Sequence, residues 1–457
     1  MMKIIPNIPL RATQAAIALM FALNAGPSGA MDLVAAYRQA LQYDPTSLAA
    51  DQALVAGGEK AVQGDSLLLP RINLQTTVSR IHDNTSSSDT SGALSSAFPS
   101  SSTGTSRQAE VQLVQPLYDA SASASKRQMH LQSEQAQTQF TQSRDDLIVR
   151  VAEAYFGVIV AEENFRVVTT EKDAIRHQRD RAKARFDIGQ GKITDVHEAQ
   201  ARLDAVETSE VSVQSTLELR RAQFQETIGV APDHLAGLAQ KFVPRQPEPD
   251  NLVAWQMKGQ DLNPTVKIKK SDLEIAIAEI KKHSIEGRPT LNLVGSYAAK
   301  GQSGNLSPLV APDGNRTASI GVQLKIPLYS GGQLSSRERE AVAKQLQSEQ
   351  ELAAARRDVR LKVQDSYLTV KTGVSRIIAG EQALISARTA LEATTLGRDV
   401  GTRTELDVLD AQHRAYSAEL DLIQSRIDYL LGRLRLEAAA GEVSEDSLRS
   451  LGIWLAS

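Results

Sequence analysis

Few residues in this 457-residue chain have the type and spacing for chemistry. It contains no cysteine, which removes thiol nucleophiles, thiolate metal ligands, disulfides and a cysteine-linked lipid anchor. The seven histidines are scattered. His197-Glu198 has no second histidine at the i+4 position of a zinc-protease helix. Gly301-Gln-Ser-Gly304 lacks the spacing of a nucleophile elbow, and no P-loop lysine accompanies the turn Gly331-Gly332. What remains is a pair of acids, Asp407 and Asp410, whose i, i+3 spacing places both carboxylates on one helix face. A purely local reading makes them complements of a helix dipole, with Thr404 as the cap and Asp407 at the third position.

Those acids belong to a stretch that occurs twice. Phe186-Asp-Ile-Gly-Gln-Gly-Lys-Ile-Thr-Asp195-Val-His-Glu-Ala-Gln200 aligns without gaps on Arg398-Asp-Val-Gly-Thr-Arg-Thr-Glu-Leu-Asp407-Val-Leu-Asp410-Ala-Gln412. Gly189 matches Gly401, Asp195 matches Asp407, and Ala199-Gln200 matches Ala411-Gln412. A glycine closes one helical pattern and an acid opens the next, so each copy predicts a helical hairpin. The period exceeds any solenoid unit and implies tandem duplication of a whole module. The elements that hold the hairpins repeat as well. Helices are expected from Asp32 to Tyr43 and from Pro45 to about Leu68, and again from Asn251 to Leu262 and from Pro264 to Ile285. Pro70 and Pro289 end the second helix of each pair.

Alternating strands follow those prolines. Ile72, Leu74, Thr76 and Val78 oppose Asn73, Gln75, Thr77 and Ser79. Ala109, Val111 and Leu113 oppose Gln108, Glu110 and Gln112. Leu291, Leu293, Gly295 and Tyr297 oppose Asn292, Val294 and Ser296. Ala318, Ile320, Val322, Leu324 and Ile326 oppose Thr317, Ser319, Gly321, Gln323 and Lys325. About ten residues per strand suit a tilted bilayer crossing, and a soluble hairpin with one buried face would alternate in the same way. The tracts His82 to Arg107 and Gly301 to Arg316 are expected to be polar loops. Long helices are predicted from about Ala122 to Asp187 and Ser335 to Arg398. Return helices are predicted from Thr194 to Ile228 and Thr404 to Ala440, the last carrying a coiled-coil seam through Leu409, His413, Tyr416, Leu420, Ile423, Ile427, Leu430 and Leu434.

Net charge is −3 and gives no electrostatic case for nucleic acid. Lys3 and Arg11, the short apolar run Ala15 to Ala25 and Ser28-Gly-Ala30 read as an export signal over residues 1–30 rather than a membrane anchor. The first repeat then covers 31–241, the second 242–441, and 442–457 form a short tail. Four strands cannot close a barrel, and open edges are not tolerated in lipid, so closure needs two, three or four chains. The helices are too polar for the bilayer and must project from it, as the walls of a conduit. An exported coiled-coil scaffold with a small soluble sheet is the alternative.

The chain resembles the TolC family of outer-membrane channels over about Asp32 to Gly441. The resemblance is carried by Arg185-Phe-Asp-Ile-Gly189 through Ile193-Thr-Asp-Val196, by Val400-Gly-Thr-Arg-Thr404 through Asp407-Val-Leu-Asp410, and by Leu324-Lys-Ile-Pro-Leu-Tyr-Ser-Gly-Gly332. It implies a mixed, mainly α fold in a homotrimer, with a twelve-strand β-barrel in the outer membrane and a twelve-helix tunnel in the periplasm. The implied role is a passive exit duct for a tripartite efflux pump or type I secretion system, with no enzymatic activity and no cofactor. A periplasmic adaptor and an inner-membrane pump or ABC exporter are the implied partners, with outer-membrane lipid around the barrel. In the family the two acids form cation-attracting rings at the periplasmic constriction, here Asp407 and Asp410. Its gate arginine corresponds to Arg403, with expected partners Thr194 and Asp195. Arg398 stands where a tyrosine is expected and Ala184 where a glutamine is, so Asp187 or Asp399 is the substitute partner the residues offer.

Overall fold

The computed structural model describes residues 31–84, 101–232, 235–239, 241–304 and 314–455. The expected export signal falls outside them. The elements run α1 (Leu33–Tyr43), α2 (Pro45–Ser66), β1 (Arg71–Asn84), β2 (Ser101–Tyr118), α3 (Ala120–Asp187) and α4 (Ile193–Ile228). The same order then returns as α5 (Leu252–Leu262), α6 (Pro264–Ile285), β3 (Thr290–Gly304), β4 (Gly314–Lys325), α7 (Gln333–Asp399) and α8 (Glu405–Ala440). The expected tail contains one more helix, α9 (Glu445–Gly452), which buries Leu448 and Leu451. Asx residues start several helices by satisfying free N–H groups. Asp32 accepts from the Ala35 amide at 2.6 Å, and Asn263 accepts from the Thr265 amide at 2.9 Å.

Two compact units each combine segments from both series of elements. One comprises Met1–Leu48, Asp145–Trp255 and Val363–Ser457, and the other comprises Ala49–Arg144 and Gln256–Lys362. In the first, Tyr155 is fully buried against Phe156, edge to face at 5.8 Å, and Phe224 at 6.3 Å. Its hydroxyl donates to the Met31 carbonyl at 2.8 Å and accepts from the Ala236 amide at 3.0 Å. Burial pushes this phenol's pKa far up, so it stays a neutral donor. Tyr367, 212 positions later, hydrogen-bonds the Asp250 carboxylate. Met31 and Asp250 each lie two residues before the first helix of their series, so both tyrosines anchor equivalent points of the chain.

Ion pairs join the helices of this unit. Glu419 on α8 bridges Arg166 on α3 at 2.9 Å and Arg388 on α7 at 2.8 Å. Asp44, between α1 and α2, is 3% exposed and meets Arg150 at 2.7 Å. Burial pushes the Asp44 carboxyl up, but hydrogen bonds from Arg150, Thr46 and the Ser47 amide outweigh it and leave its pKa lowered. A depressed folded pKa contributes stability above the unfolded value of about 3.9, lost as pH falls through the folded value. Asp44→Asn is therefore expected to cost about 1 kcal/mol at pH 7, Arg150 being half in solvent, and to flatten the fall in melting temperature below about pH 4. Circular dichroism melts of both proteins at pH 7 and pH 3 check this. An equally steep acid loss in the variant would remove Asp44 as its source.

The second unit holds an antiparallel sheet in the order β1-β2-β3-β4. The strands have 14, 18, 15 and 12 residues, longer than the expected ten. Ser101 to Arg107, read as loop from its polarity, is the first third of β2, and β1 and β3 likewise run on to Asn84 and Gly304. Backbone ladder bonds continue past the apolar band, where both faces are polar and no alternation marks the strand. Ile326, counted as strand, lies beyond β4. The register stacks Ile72 on Leu113 and Gly295 on Ile320, and Leu74 on Val111 and Tyr297. These residues share one apolar face, and Ile72, Leu74, Ile320 and Val322 are 62–78% exposed. The opposite face carries Gln75, Glu110, Gln112, Ser296, Lys300, Ser319 and Gln323. In the same unit α2 lies close on α3, where a Cβ at Gly57 would stand 2.2 Å from that of Ala136.

Candidate functional site

The two hairpin tips are built alike. At the first, Gly189 takes φ +72°, the Gln190 amide bonds the Arg185 carbonyl at 2.8 Å, and the Gly189 amide bonds Phe186 at 2.9 Å. At the second, Gly401 takes φ +81°, the Thr402 amide bonds Gly397 at 2.8 Å, and the Gly401 amide bonds Arg398 at 3.0 Å. Both are glycine-ended helix stops whose left-handed residue a β-carbon would strain. Their restarts differ. Lys192 precedes α4 without a side-chain cap, whereas Thr404 and Asp407 form a reciprocal capping box on α8.

In that box one oxygen of Asp407, Oδ2, accepts from the Thr404 amide at 2.8 Å and hydroxyl at 2.9 Å. Those bonds hold the carboxylate below the usual carboxylate range. The other oxygen, Oδ1, makes no hydrogen bond among the described residues. Asp410, one turn on, is exposed and makes no ion pair among the described residues. The residues around them, Val408, Leu409, Ala411 and Gln412, are buried. Leu409 joins Val168, Ile175, Ala199, Leu203 and Val206 in the seam between α3, α4 and α8. The seam thus turns both acids away from the packed side, Asp407 ionised and held by its capping bonds and Asp410 exposed.

The expected gate residues separate. Arg398 turns inward: its side chain is 8% exposed and meets Asp399 at 2.7 Å and Glu405 at 3.4 Å. Asp399 also approaches Arg185 of the first hairpin at 3.9 Å, which links the two tips within one chain. Sequence reading did not single out Arg185 or Glu405 as site residues, although Arg185 opens the most specific motif. Thr194 is exposed and its hydroxyl lies 3.5 Å from the Asp195 carboxylate. Arg403 is exposed, and among the described residues of a single chain no bond joins it to Thr194 or Asp195. Above the tips, buried Glu171 on α3 meets His413 of α8 at 3.1 Å and Arg202 of α4 at 3.7 Å. No group of residues suited to a metal ion occurs among the described residues, and none of their helices is long and apolar enough to cross a membrane.

A sheet with one apolar, widely exposed face, carried by a chain of long helical hairpins, is the architecture of an outer-membrane channel protein. The family model described as outer membrane efflux protein matches residues 36–230 and 261–442, and the chain belongs to that family. It is 33% identical over 426 residues to outer membrane protein TolC of Vibrio cholerae, covering 93% of this chain and 94% of that one. It is 29% identical over 422 residues to the alkaline protease secretion protein AprF of Pseudomonas aeruginosa, covering 92% and 86%. Its fold matches the outer membrane protein VceC of Vibrio cholerae with a TM-score of 0.72 at 19% identity, over 90% of this chain and 96% of that one. It also matches the CmeC outer membrane channel of Campylobacter jejuni with a TM-score of 0.75 at 14% identity, over 93% and 89%.

Proposed function

We propose that three copies of this chain close a twelve-strand barrel and a twelve-helix tunnel, forming a passive, gated exit duct without catalytic activity. The observation that carries this reading is the sheet. Its apolar face is widely exposed and its outer strands, β1 and β4, each leave an edge unpaired in the single chain. Such edges are admissible in lipid only when paired with another copy. The repeated element order supports a duplicated module, with 31–241 and 242–441 as the two repeats. The duct serves efflux or type I secretion by joining a periplasmic adaptor and an inner-membrane pump or ABC exporter. Asp407 and Asp410 form two carboxylate rings at its periplasmic constriction. Arg403 holds that end shut by pairing with Thr194 and Asp195 of a neighbouring copy, a partner choice supported by the absence of those bonds within one chain. Arg398, spent on Asp399 and Glu405, stiffens its own hairpin instead.

Extraction of the outer-membrane fraction tests the assembly. The expected product is a detergent-stable oligomer of three chains that shifts to monomer on boiling and conducts ions in a planar bilayer. A soluble, monomeric periplasmic species without conductance would end this reading.

A further inference from the structure

The apolar face of the sheet ends in three arginines. Arg80 pairs with Thr105, Arg107 with Val78 and Gly301, and Arg316 with Ala299. Alternation therefore places Arg80 with Leu74 and Val78, Arg107 with Val111 and Leu113, and Arg316 with Ile320 and Val322. All three are exposed, and among the described residues none makes an ion pair or side-chain hydrogen bond. No aspartate or glutamate shares this face along the paired rows. An unneutralised charge on a lipid-facing strand is costly at mid-bilayer and tolerable only at headgroup level. These arginines lie toward the loop ends of β1, β2 and β4, whereas the other ends of the four strands run into α2, α3, α6 and α7. In outer-membrane barrels the longer loops face outward.

We infer that the face around Arg80, Arg107 and Arg316 binds a phosphorylated glycolipid of the outer leaflet, the guanidinium groups gripping its phosphates. The inference rests on the barrel reading above and adds a ligand to it. Guanidinium matches phosphate with a planar, two-bond fork that an ammonium lacks. Arg80 and Arg107 sit on a diagonal of adjacent strands, about 7–8 Å apart at Cα, close enough to share one phosphate. Arg316 stands two strands from Arg107 and one row along, about 12 Å away by strand spacing and rise. That separation suits a headgroup with two phosphates. Between Arg107 and Arg316 the floor is Gly301, Gly314 and Ala299, too small to obstruct a sugar ring.

The test uses the full-length protein purified in detergent, with lipid binding followed by native mass spectrometry. Bisphosphorylated lipid A is expected to bind the wild type, and its fully dephosphorylated form at least about tenfold more weakly. Millimolar inorganic phosphate is expected not to displace the lipid. Arg107→Gln with Arg316→Gln is expected to weaken binding at least about tenfold, and Lys300→Gln, on the opposite face, to leave it unchanged. Equal binding of both lipids, displacement by inorganic phosphate, equal loss in Lys300→Gln, or full binding by the double variant would each overturn the site. The lipid comparison is read on the wild type, so it stands even if the double variant fails to assemble. A wild type missing from the outer-membrane fraction would instead refute the barrel, whereas a membrane trimer indifferent to phosphate refutes only this site.

Discussion

Exchanging Asp407 and Asp410 for asparagine together is expected to abolish most of the cation preference of the channel. Two rings of three carboxylates are proposed at the constriction. At about 5 Å in water each carboxylate stabilises a monovalent cation by about 0.8 kcal/mol, and physiological salt roughly halves this. One ring then contributes about 1.3 kcal/mol, near tenfold in local cation concentration, and about a hundredfold for a divalent ion. Reversal potentials in asymmetric potassium chloride should move toward zero, and block by multivalent cations should require far higher concentrations. The fold should survive, because an asparagine at 407 can still accept from the Thr404 amide that now bonds Asp407 at 2.8 Å. If the acids were only helix caps, the pair of exchanges would cost about 1 kcal/mol of stability and leave selectivity intact. Unchanged reversal potentials would therefore move the constriction elsewhere.

Arg403→Ser is expected to make the resting channel leaky without weakening the individual chain. Its side chain is exposed and makes no ion pair among the described residues of one chain, so little intrachain stability depends on it. Between copies, each exposed pair is worth about 0.5–1 kcal/mol, and three give about 1.5–3 kcal/mol toward the closed state. Losing them shifts the open fraction by about tenfold to a hundredfold. The measurement is single-channel conductance beside a thermal melt. Higher conductance at an unchanged melting temperature fits a link between subunits. Wild-type conductance would refute the assignment of the gate to Arg403. Arg398→Ala is the contrasting case. It leaves Glu405, whose side chain is 11% exposed, without its cation, so the melt should fall along with any change in conductance.

The order and kind of the elements were legible in the sequence because they depend on near neighbours. Prolines and Asx residues set the starts of α2 and α6, glycines at 189 and 401 set the hairpin stops, and Thr404 with Asp407 forms the capping box its spacing predicts. Alternation through Ile72, Leu74 and Ile320 marks which strand face is apolar, since side-chain direction has period two. Three features needed the tertiary structure. The strands outrun their apolar bands, because backbone pairing between distant segments, not side-chain polarity, sets where a ladder ends. Arg398 turns inward to Asp399 and Glu405, because an ion pair forms with whichever carboxylate the hairpin brings within reach. Tyr155 and Tyr367 reach Met31 and Asp250 across more than a hundred residues, contacts that exist only once the helices have packed.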